Sequence, residues 1–420
     1  MTHRSSLVAL SALLALALTG CADPATSPSD EAGSDAASGA PSAHGAIAGA
    51  EEVAEPPLHL VAIDATGRSS MLDLLGGEVT ELESFDAPSR VTTDGRYVFV
   101  ANETGVEMFD SGVWTWDHVD HFHFYRADAR KIGAVPGSGV AEISGGLLST
   151  AGSTGVFFPG TGDAVLLDNA ALADGDIEET LRIDTGARNG LIVPLGAGAL
   201  VTEASTGSRA DQLRVIAADG AKGDQISCEE PAGSITTRVG VVVGCADGAV
   251  LAVENDDGGI ALEKITYPAG AAAPATTFSA RKGRPTVAGL GSDAGTWLLD
   301  TREQAWRWIP SETPLLEAAS VDNEAGHVVT VGVDGVVRVY EATTGSLLAE
   351  TEPLLAKTLL EAHDDPDLLD GIALTVDANR AYLNAPAEGV VYEIDYADGA
   401  RIARVLETKT RPVHLVEVGR

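Results

Sequence analysis

A repeat of short strands and tight turns, about 40 residues long, recurs along most of this chain and limits the folds it can adopt. Runs of β-branched and aromatic residues, such as residues 97–101 and 328–331, follow turns rich in Gly, Asp and Asn. A second turn and strand come after each run, as in residues 334–340, and this order is typical of β-hairpins. A four-stranded antiparallel unit of this length, repeated around a ring, is a β-propeller blade, so we predict an all-β propeller.

The repeat predicts eight four-stranded blades. Seven of them begin near residues 88, 137, 188, 230, 273, 315 and 370. Residues 58–87 supply only three strands and residues 412–418 supply one, so we expect the N- and C-terminal strands to pair and complete the eighth blade. This closure would leave no blade edge free to aggregate. Seven blades would result if residues 150–190 were an insertion, and a two-sheet sandwich is a weaker alternative because it does not explain the period.

Three of the nine histidines fall within six consecutive positions, in residues 117–125, which read DHVDHFHFY. We place residues 117–123 in the second blade, as the loop that leads from the third strand (residues 106–110) into an outermost strand within residues 122–135. His121 and His123 would share one face of the strand, and His118 and Asp120 would lie in the preceding turn. Imidazole and carboxylate groups are zinc ligands, so this pattern predicts a metal site. The alternative is a polar hairpin tip whose histidines bond only each other and solvent.

The N-terminal residues predict export. Residues 1–20 combine a basic start with an apolar run too short to span a bilayer, as in a secretory signal peptide. The run ends LTGC and resembles a bacterial lipobox, so we expect a lipid on Cys21; a plain signal peptide is the alternative. Residues 21–56 carry few large apolar side chains and are predicted to be a flexible tether, which leaves residues 57–420 for the propeller.

Charge and cysteine content limit the partners and the compartment. The 62 acidic residues outnumber the 27 basic ones, for a net charge of −35, which argues against nucleic acid or an anionic lipid surface as partner. Once Cys21 is assigned to lipid, Cys228 and Cys245 remain, and outside the cytoplasm such a pair predicts a disulfide between consecutive repeats. Two reduced, buried cysteines are the alternative.

With its export signal, its repeat and the DHVDHFHFY motif, the chain resembles the extracytoplasmic zinc chaperones of the AztD type. Those are propeller proteins that bind zinc through histidines and pass it to the solute-binding protein of a zinc ABC importer. The resemblance implies zinc as cargo, His118, His121 and His123 as ligands, and Asp120 as a further partner. It also implies a carrier rather than an enzyme. We expect the chain to be a monomer held on the outer face of the cytoplasmic membrane by its lipid alone, and this lipid is a departure from a freely soluble periplasmic chaperone. Members often carry a His-rich N-terminal stretch, whereas residues 21–56 contain only His44.

Two further histidines are candidate ligands. His363 lies in an acidic connection between blades, and His327 begins a strand after a turn. The sequence shows no nucleophile elbow, phosphate-binding loop or HExxH motif. A metal-free propeller acting as an interaction scaffold remains the second hypothesis. A quinone-cofactor oxidoreductase is the third, although the five tryptophans are clustered and lack a regular docking pattern.

Overall fold

A computed structural model describes residues 47, 49–117 and 121–420. The first strands of the described part, β1 to β18 in chain order, are Glu51–Val53, His59–Ile63, Ser69–Asp73, Val79–Glu81, Arg90–Thr93, Tyr97–Asn102, Gly105–Asp110, Val113–Asp117, Phe122–Arg126, Arg130–Pro136, Glu142–Gly145, Ser153–Phe158, Asp163–Asp168, Glu179–Asp184, Ile192–Leu195, Gly198–Glu203, Gln212–Ile216 and Lys222–Ser227. The strands β19 to β35 are Ala232–Thr236, Val241–Cys245, Gly248–Glu254, Ile260–Thr266, Thr277–Ser279, Thr286–Leu290, Gly295–Asp300, Ala305–Pro310, Leu315–Ser320, His327–Gly332, Val337–Glu341, Leu347–Glu350, Leu374–Val376, Ala381–Ala385, Val390–Asp395, Arg401–Glu407 and His414–Val418.

Helices are short and few in the described residues. Helix α1 spans Asn169–Asp174, helix α2 spans Ala356–Glu361, and a 3-10 turn covers Pro366–Leu369. None of the helices in this part of the chain is long and apolar enough to cross a membrane.

Eight four-stranded antiparallel sheets follow one another along the described chain, and they are the blades of a β-propeller. We number them from the terminal blade, built from β35, β2, β3 and β4, as blade 1. Blades 2 to 8 begin with β5, β11, β15, β19, β23, β27 and β31, within a few residues of the predicted starting points. The prediction of an all-β, eight-bladed propeller is confirmed.

The ring closes through the two ends of the folded chain. Strand β35 pairs antiparallel with β2, with Val61 opposite Val416 and His59 opposite Val418. The three valines pack against Val98 and Val100 of blade 2, so the terminal blade shares a hydrophobic core with the next one. The predicted pairing of N- and C-terminal strands is therefore present.

Each blade buries both of its faces against its neighbours. For this reason the middle strands are buried on both faces rather than on alternate residues only; β28 is buried at every position. Between blades 5 and 6, Val242 and Leu251 pack with Val287 and Leu299 in one cluster. Burial on two sides also explains why the strand runs could be read from the sequence as continuous β-branched segments.

Cys228 and Cys245 form a disulfide, as predicted. Cys228 lies in the connection that leads from blade 4 into blade 5, and Cys245 ends β20 of blade 5. Both side chains are buried in a cluster shared by these two blades. Such a bond is typical of proteins that fold outside the reducing cytoplasm. The signal peptide, Cys21 and residues 22–46 lie outside the described residues.

One sheet does not belong to a blade. Strands β8 and β9 form a hairpin inserted between the third strand (β7) and the outermost strand (β10) of blade 2, and β1 pairs with β9 on the other side. The DHVDHFHFY stretch therefore lies between the third and outermost strands, as expected. The strand of this stretch, β9, does not continue into the blade, however. It pairs with β8 on one side and with β1 on the other, and the outermost strand of the blade is the separate strand β10. Glu51–Val53 lies in the range assigned to the tether, and the sequence did not predict this strand.

Candidate metal site

The site is built on the hairpin of β8 and β9, and its base is held rigidly. Gly112 adopts a φ of +72°, and a Cβ added there would lie 2.4 Å from the backbone oxygen of Ala127. Only glycine fits this turn without strain. Arg96 donates two hydrogen bonds to the carboxylate of Asp110, at 3.0 and 2.8 Å, and its guanidinium lies 3.9 Å from the ring centre of Trp114. The buried ion pair and the cation–π contact fix the direction in which the hairpin leaves blade 2.

The hairpin rests on blades 1 and 5. The carboxylate of Asp117, at the end of β8, accepts a hydrogen bond of 2.8 Å from Arg238 in blade 5. Thr115 donates to the backbone oxygen of Gly419, just beyond β35, at 2.8 Å. Arg126 donates to Asp73 of blade 1 at 3.1 Å. Because these contacts come from blades on different sides of blade 2, the hairpin lies across the ring face instead of projecting freely into solvent.

Two of the predicted ligands meet at the end of this hairpin. The Nε2 atoms of His121 and His123 are 3.0 Å apart, with ring centres 4.8 Å apart. His123 lies in β9 and is 9% exposed, whereas His121 precedes the strand and is exposed. One imidazole of the pair is therefore exposed to solvent and the other is shielded. His118 and Asp120 lie outside the described residues.

The described site includes a carboxylate that the sequence did not predict. Oε1 of Glu52, in β1, is 2.6 Å from Nδ1 of His123. Glu52 stands opposite Tyr125 in the register, so its side chain reaches diagonally across to His123. In the sequence Glu52 is one acid among many in a segment of small residues, and a three-residue strand has no period that would have revealed it.

The aromatic rings of Trp114, Trp116 and Tyr125 form a wall on one side of His123. Trp114 stacks on Tyr125 at 5.1 Å, and Tyr125 in turn stacks on His123 at 6.2 Å. Trp116 lies 6.5 Å from the His123 ring. Burial, and after it the negative charge of Glu52, raises the pKa of Tyr125 and keeps the phenol neutral. This wall excludes water from one side of His123, and polar contacts there are stronger than they would be in open solvent.

The other histidines do not join this pair through any contact described for them. His327, in blade 7, has its Nδ1 2.9 Å from the Asn323 side-chain amide, and its ring packs 5.3 Å from Tyr396. His363 is exposed after helix α2. His59 bonds the backbone oxygen of Pro57 at 2.8 Å. Burial lowers the pKa of His59, His327 and His414, which favours their neutral forms.

Within the described residues no group of three or more His, Cys, Asp and Glu side chains is arranged to hold a metal ion. The described part of the site is thus a histidine pair with a carboxylate behind it. A pair of imidazoles offers two of the ligands that a zinc ion requires, and further ligands have to come from residues near the turn or from a partner.

An eight-bladed propeller with a histidine-bearing hairpin laid across it defines the architecture with which known proteins can be compared. The fold is similar to that of AztD from Citrobacter koseri: a crystal structure of that protein matches with a TM-score of 0.71 at 19% identity, covering 86% of this chain and 97% of that one. A structure of apo AztD from the same organism matches equally well, at 17% identity over 86% of this chain and 98% of the other. The resemblance to AztD inferred from the sequence is thus confirmed at the level of the fold.

Other matches are more distant. The dihydro-heme d1 dehydrogenase NirN, in a complex with DHE, gives a TM-score of 0.55 at 13% identity over 87% of this chain and 76% of that chain. At such identities the likeness concerns the fold alone. No protein-family model matches this chain, and no curated protein matches it.

Proposed function

We propose that this chain is an extracytoplasmic zinc-binding metallochaperone, a carrier rather than an enzyme, that delivers zinc to the solute-binding protein of a zinc ABC importer. One observation carries the proposal: the Nε2 atoms of His121 and His123 converge to 3.0 Å on a hairpin anchored across the ring. Two nitrogens bound to the same tetrahedral zinc ion, each at about 2.0–2.1 Å, are about 3.3 Å apart. The pair therefore needs only a small displacement to bind one ion together.

His118 and Asp120 are the proposed remaining ligands, on the strength of their positions in the motif. His363 and His327 are weaker candidates, and the hydrogen bond of His327 to Asn323 supports a structural role in blade 7. Neutral imidazole also binds copper and nickel, so the ligand types favour zinc without excluding those ions.

The unequal exposure of the two imidazoles supports transfer of the ion. His123 is held by Glu52 and by the aromatic wall, whereas His121 is exposed. A partner protein could replace the exposed ligand first while the shielded one still holds the ion. Stepwise exchange of this kind avoids release of free zinc. The similarity to the AztD fold is consistent with this role.

The same proposal places the protein on the outer face of the cytoplasmic membrane, attached through a lipid on Cys21, with residues 21–56 as its tether. The disulfide agrees with an oxidising compartment. We propose that the protein acts as a monomer.

Zinc binding by the full purified chain tests the proposal. We expect about one tightly bound zinc ion per chain, measured as metal content and by competition with a chelator. The variant His118→Ala/His121→Ala/His123→Ala should fold and lose this ion, whereas Glu407→Gln, which changes an exposed residue of β34, should keep it. If the parent binds no zinc, or if the triple variant binds as well as the parent, the proposal is wrong. Transfer is then measured by mixing the loaded chain with a zinc-free solute-binding protein; transfer no faster than spontaneous zinc release would refute the chaperone role.

A further inference from the structure

The contact between Glu52 and His123 determines how His123 can use its two nitrogens. Nδ1 of His123 lies 2.6 Å from Oε1 of Glu52, and Nε2 lies 3.0 Å from Nε2 of His121. An ionised carboxylate only accepts hydrogen bonds, so the proton of a neutral His123 belongs on Nδ1. The lone pair is then on Nε2, directed at the position shared with His121. A histidine that binds a metal through one nitrogen commonly donates from the other to a carboxylate in this way.

We propose that Glu52 is the positioning residue of the zinc site: it holds His123 in the Nδ1–H form and couples zinc binding to the docking of strand β1 on the hairpin. This inference rests on the proposed function and adds a residue and a linkage to it. Glu52 does not contact the ion in this arrangement; it acts through the imidazole.

The structure of β1 makes this coupling effective. The strand has three residues and pairs only with β9 among the described strands. Glu51 and Glu52 are exposed and Val53 is half-buried, so little apolar surface holds the strand in place. With so little burial, β1 is held by its backbone pairing with β9 and by the hydrogen bond between Glu52 and His123.

The direction of the linkage follows from the chemistry of imidazole. A cation bound at Nε2 withdraws electron density from the ring and makes Nδ1–H a stronger donor to Glu52. Zinc should therefore tighten the docking of β1, and by reciprocity a docked β1 should raise the affinity for zinc. Because β1 lies where the predicted tether meets the ring, we expect residues 49–54 to be more ordered when zinc is bound than when it is absent.

Glu51 provides a matched control for Glu52. It is the adjacent residue of the same strand, it stands opposite Arg126, and its side chain points to the other face. Glu52→Gln and Glu51→Gln remove the same charge from the same segment. We expect Glu52→Gln to weaken zinc binding about 10- to 100-fold, and Glu51→Gln to leave it nearly unchanged. Glu52→Asp in the full chain should restore part of the affinity, because it restores an acceptor that cannot donate.

Two further measurements separate positioning from a general structural effect. In zinc-loaded protein, ¹⁵N NMR of the imidazoles should show His123 protonated at Nδ1 and metal-bound at Nε2. Amide exchange in residues 49–54 should slow on zinc binding in the parent and in Glu51→Gln but not in Glu52→Gln. Metal bound at Nδ1 of His123, or equal zinc affinities of the two glutamine variants, would overturn the inference.

Failure of this inference is distinguishable from failure of the proposed function. If the triple histidine variant still binds zinc, the site is wrong and the role of Glu52 falls with it. If the histidine variant loses zinc while Glu52→Gln behaves like Glu51→Gln, the zinc site stands and only the positioning role is excluded.

Discussion

Asp117, at the end of the inserted hairpin strand β8, and Arg238 in blade 5 are joined by an ion pair of 2.8 Å, 121 residues apart in the chain. The contact connects the outer part of the inserted hairpin to a blade three positions away around the ring. This ion pair therefore anchors the hairpin to a distant blade on the ring face and is not a contact within one blade.

Replacing this arginine should loosen the hairpin with little effect on overall stability. The side chain of Arg238 is 60% exposed, and exposed pairs of this kind contribute less than about 1 kcal/mol. We expect Arg238→Gln to leave the free energy of unfolding within about 1 kcal/mol of the parent value. Amide exchange in residues 113–117 and 122–126 should nevertheless become faster, because one of the hairpin's anchoring contacts is lost.

Arg209→Gln is the matched control for this variant. It breaks an exposed ion pair with Glu230, between blades 4 and 5, and removes the same charge. The hairpin's exchange rates should be unchanged in that variant. An identical exchange pattern in both variants would show that the Asp117 contact does not restrain the hairpin.

The disulfide between Cys228 and Cys245 should contribute measurably to stability. It closes a loop with a sequence separation of 17, for which the loss of chain entropy in the unfolded state predicts about 3 kcal/mol. The variant Cys228→Ala/Cys245→Ala should lose stability of this order in urea unfolding. A reductant should bring the parent toward the stability of the variant and leave the variant unaffected. Equal stability of the oxidised parent and the variant would contradict this account.

Most of the fold could be predicted because the blades of a propeller repeat the same order of strands and turns along the sequence. Each blade is covered on both faces, so its middle strands contain runs of β-branched and other apolar residues, and the turns between them are rich in Gly, Asp and Asn. Blade 7, which begins at Leu315, was placed correctly from such signals. The terminal pairing of β2 with β35 followed from counting strands at the two ends.

The surroundings of the site could not be predicted, because they depend on contacts between distant residues. The sequence of Phe122–Arg126 indicates a strand correctly but does not say which strand it will pair with. That choice depends on the turn at Gly112 and on β1, and β1 is too short to show a period. For the same reason Glu52 was missed, since its contact with His123 spans 71 residues.

Zinc binding should change the tryptophan fluorescence of the protein, and we expect most of this change to come from Trp116. Trp116 lies 6.5 Å from the His123 ring, whereas Trp297 contacts both Trp306 and Trp308 in blade 6. A ring beside a metal ligand senses the change in charge and hydrogen bonding of that ligand. We expect Trp116→Phe to remove most of the zinc-dependent change in emission and Trp308→Phe to preserve it. Loss of the change in Trp308→Phe alone would place the ion elsewhere.

A buried carboxyl in the closing strand should make stability depend on pH. Glu417 of β35 is 1% exposed, and burial raises its pKa to about 7, against the opposing charge of Arg420, which hydrogen-bonds it. Its Oε1 finds no hydrogen-bond partner among the described residues. The folded chain therefore holds a proton that the unfolded chain releases near pH 4.5. Binding of this proton therefore contributes to the free energy of unfolding. The contribution is roughly 3 kcal/mol below pH 4.5, declines as pH rises, and is lost above about pH 7.

Glu417→Gln should remove this dependence, because the amide stays neutral and can still accept a hydrogen bond from Arg420. Relative to the parent, the variant should become more stable by up to roughly 3 kcal/mol as pH rises from 4.5 to 8, measured by urea unfolding at several pH values. Glu407→Gln, which changes an exposed residue of β34, provides the control and should show no such trend relative to the parent. A constant difference between Glu417→Gln and the parent across this range would mean that Glu417 is ionised in the folded ring and that Arg420 outweighs its burial.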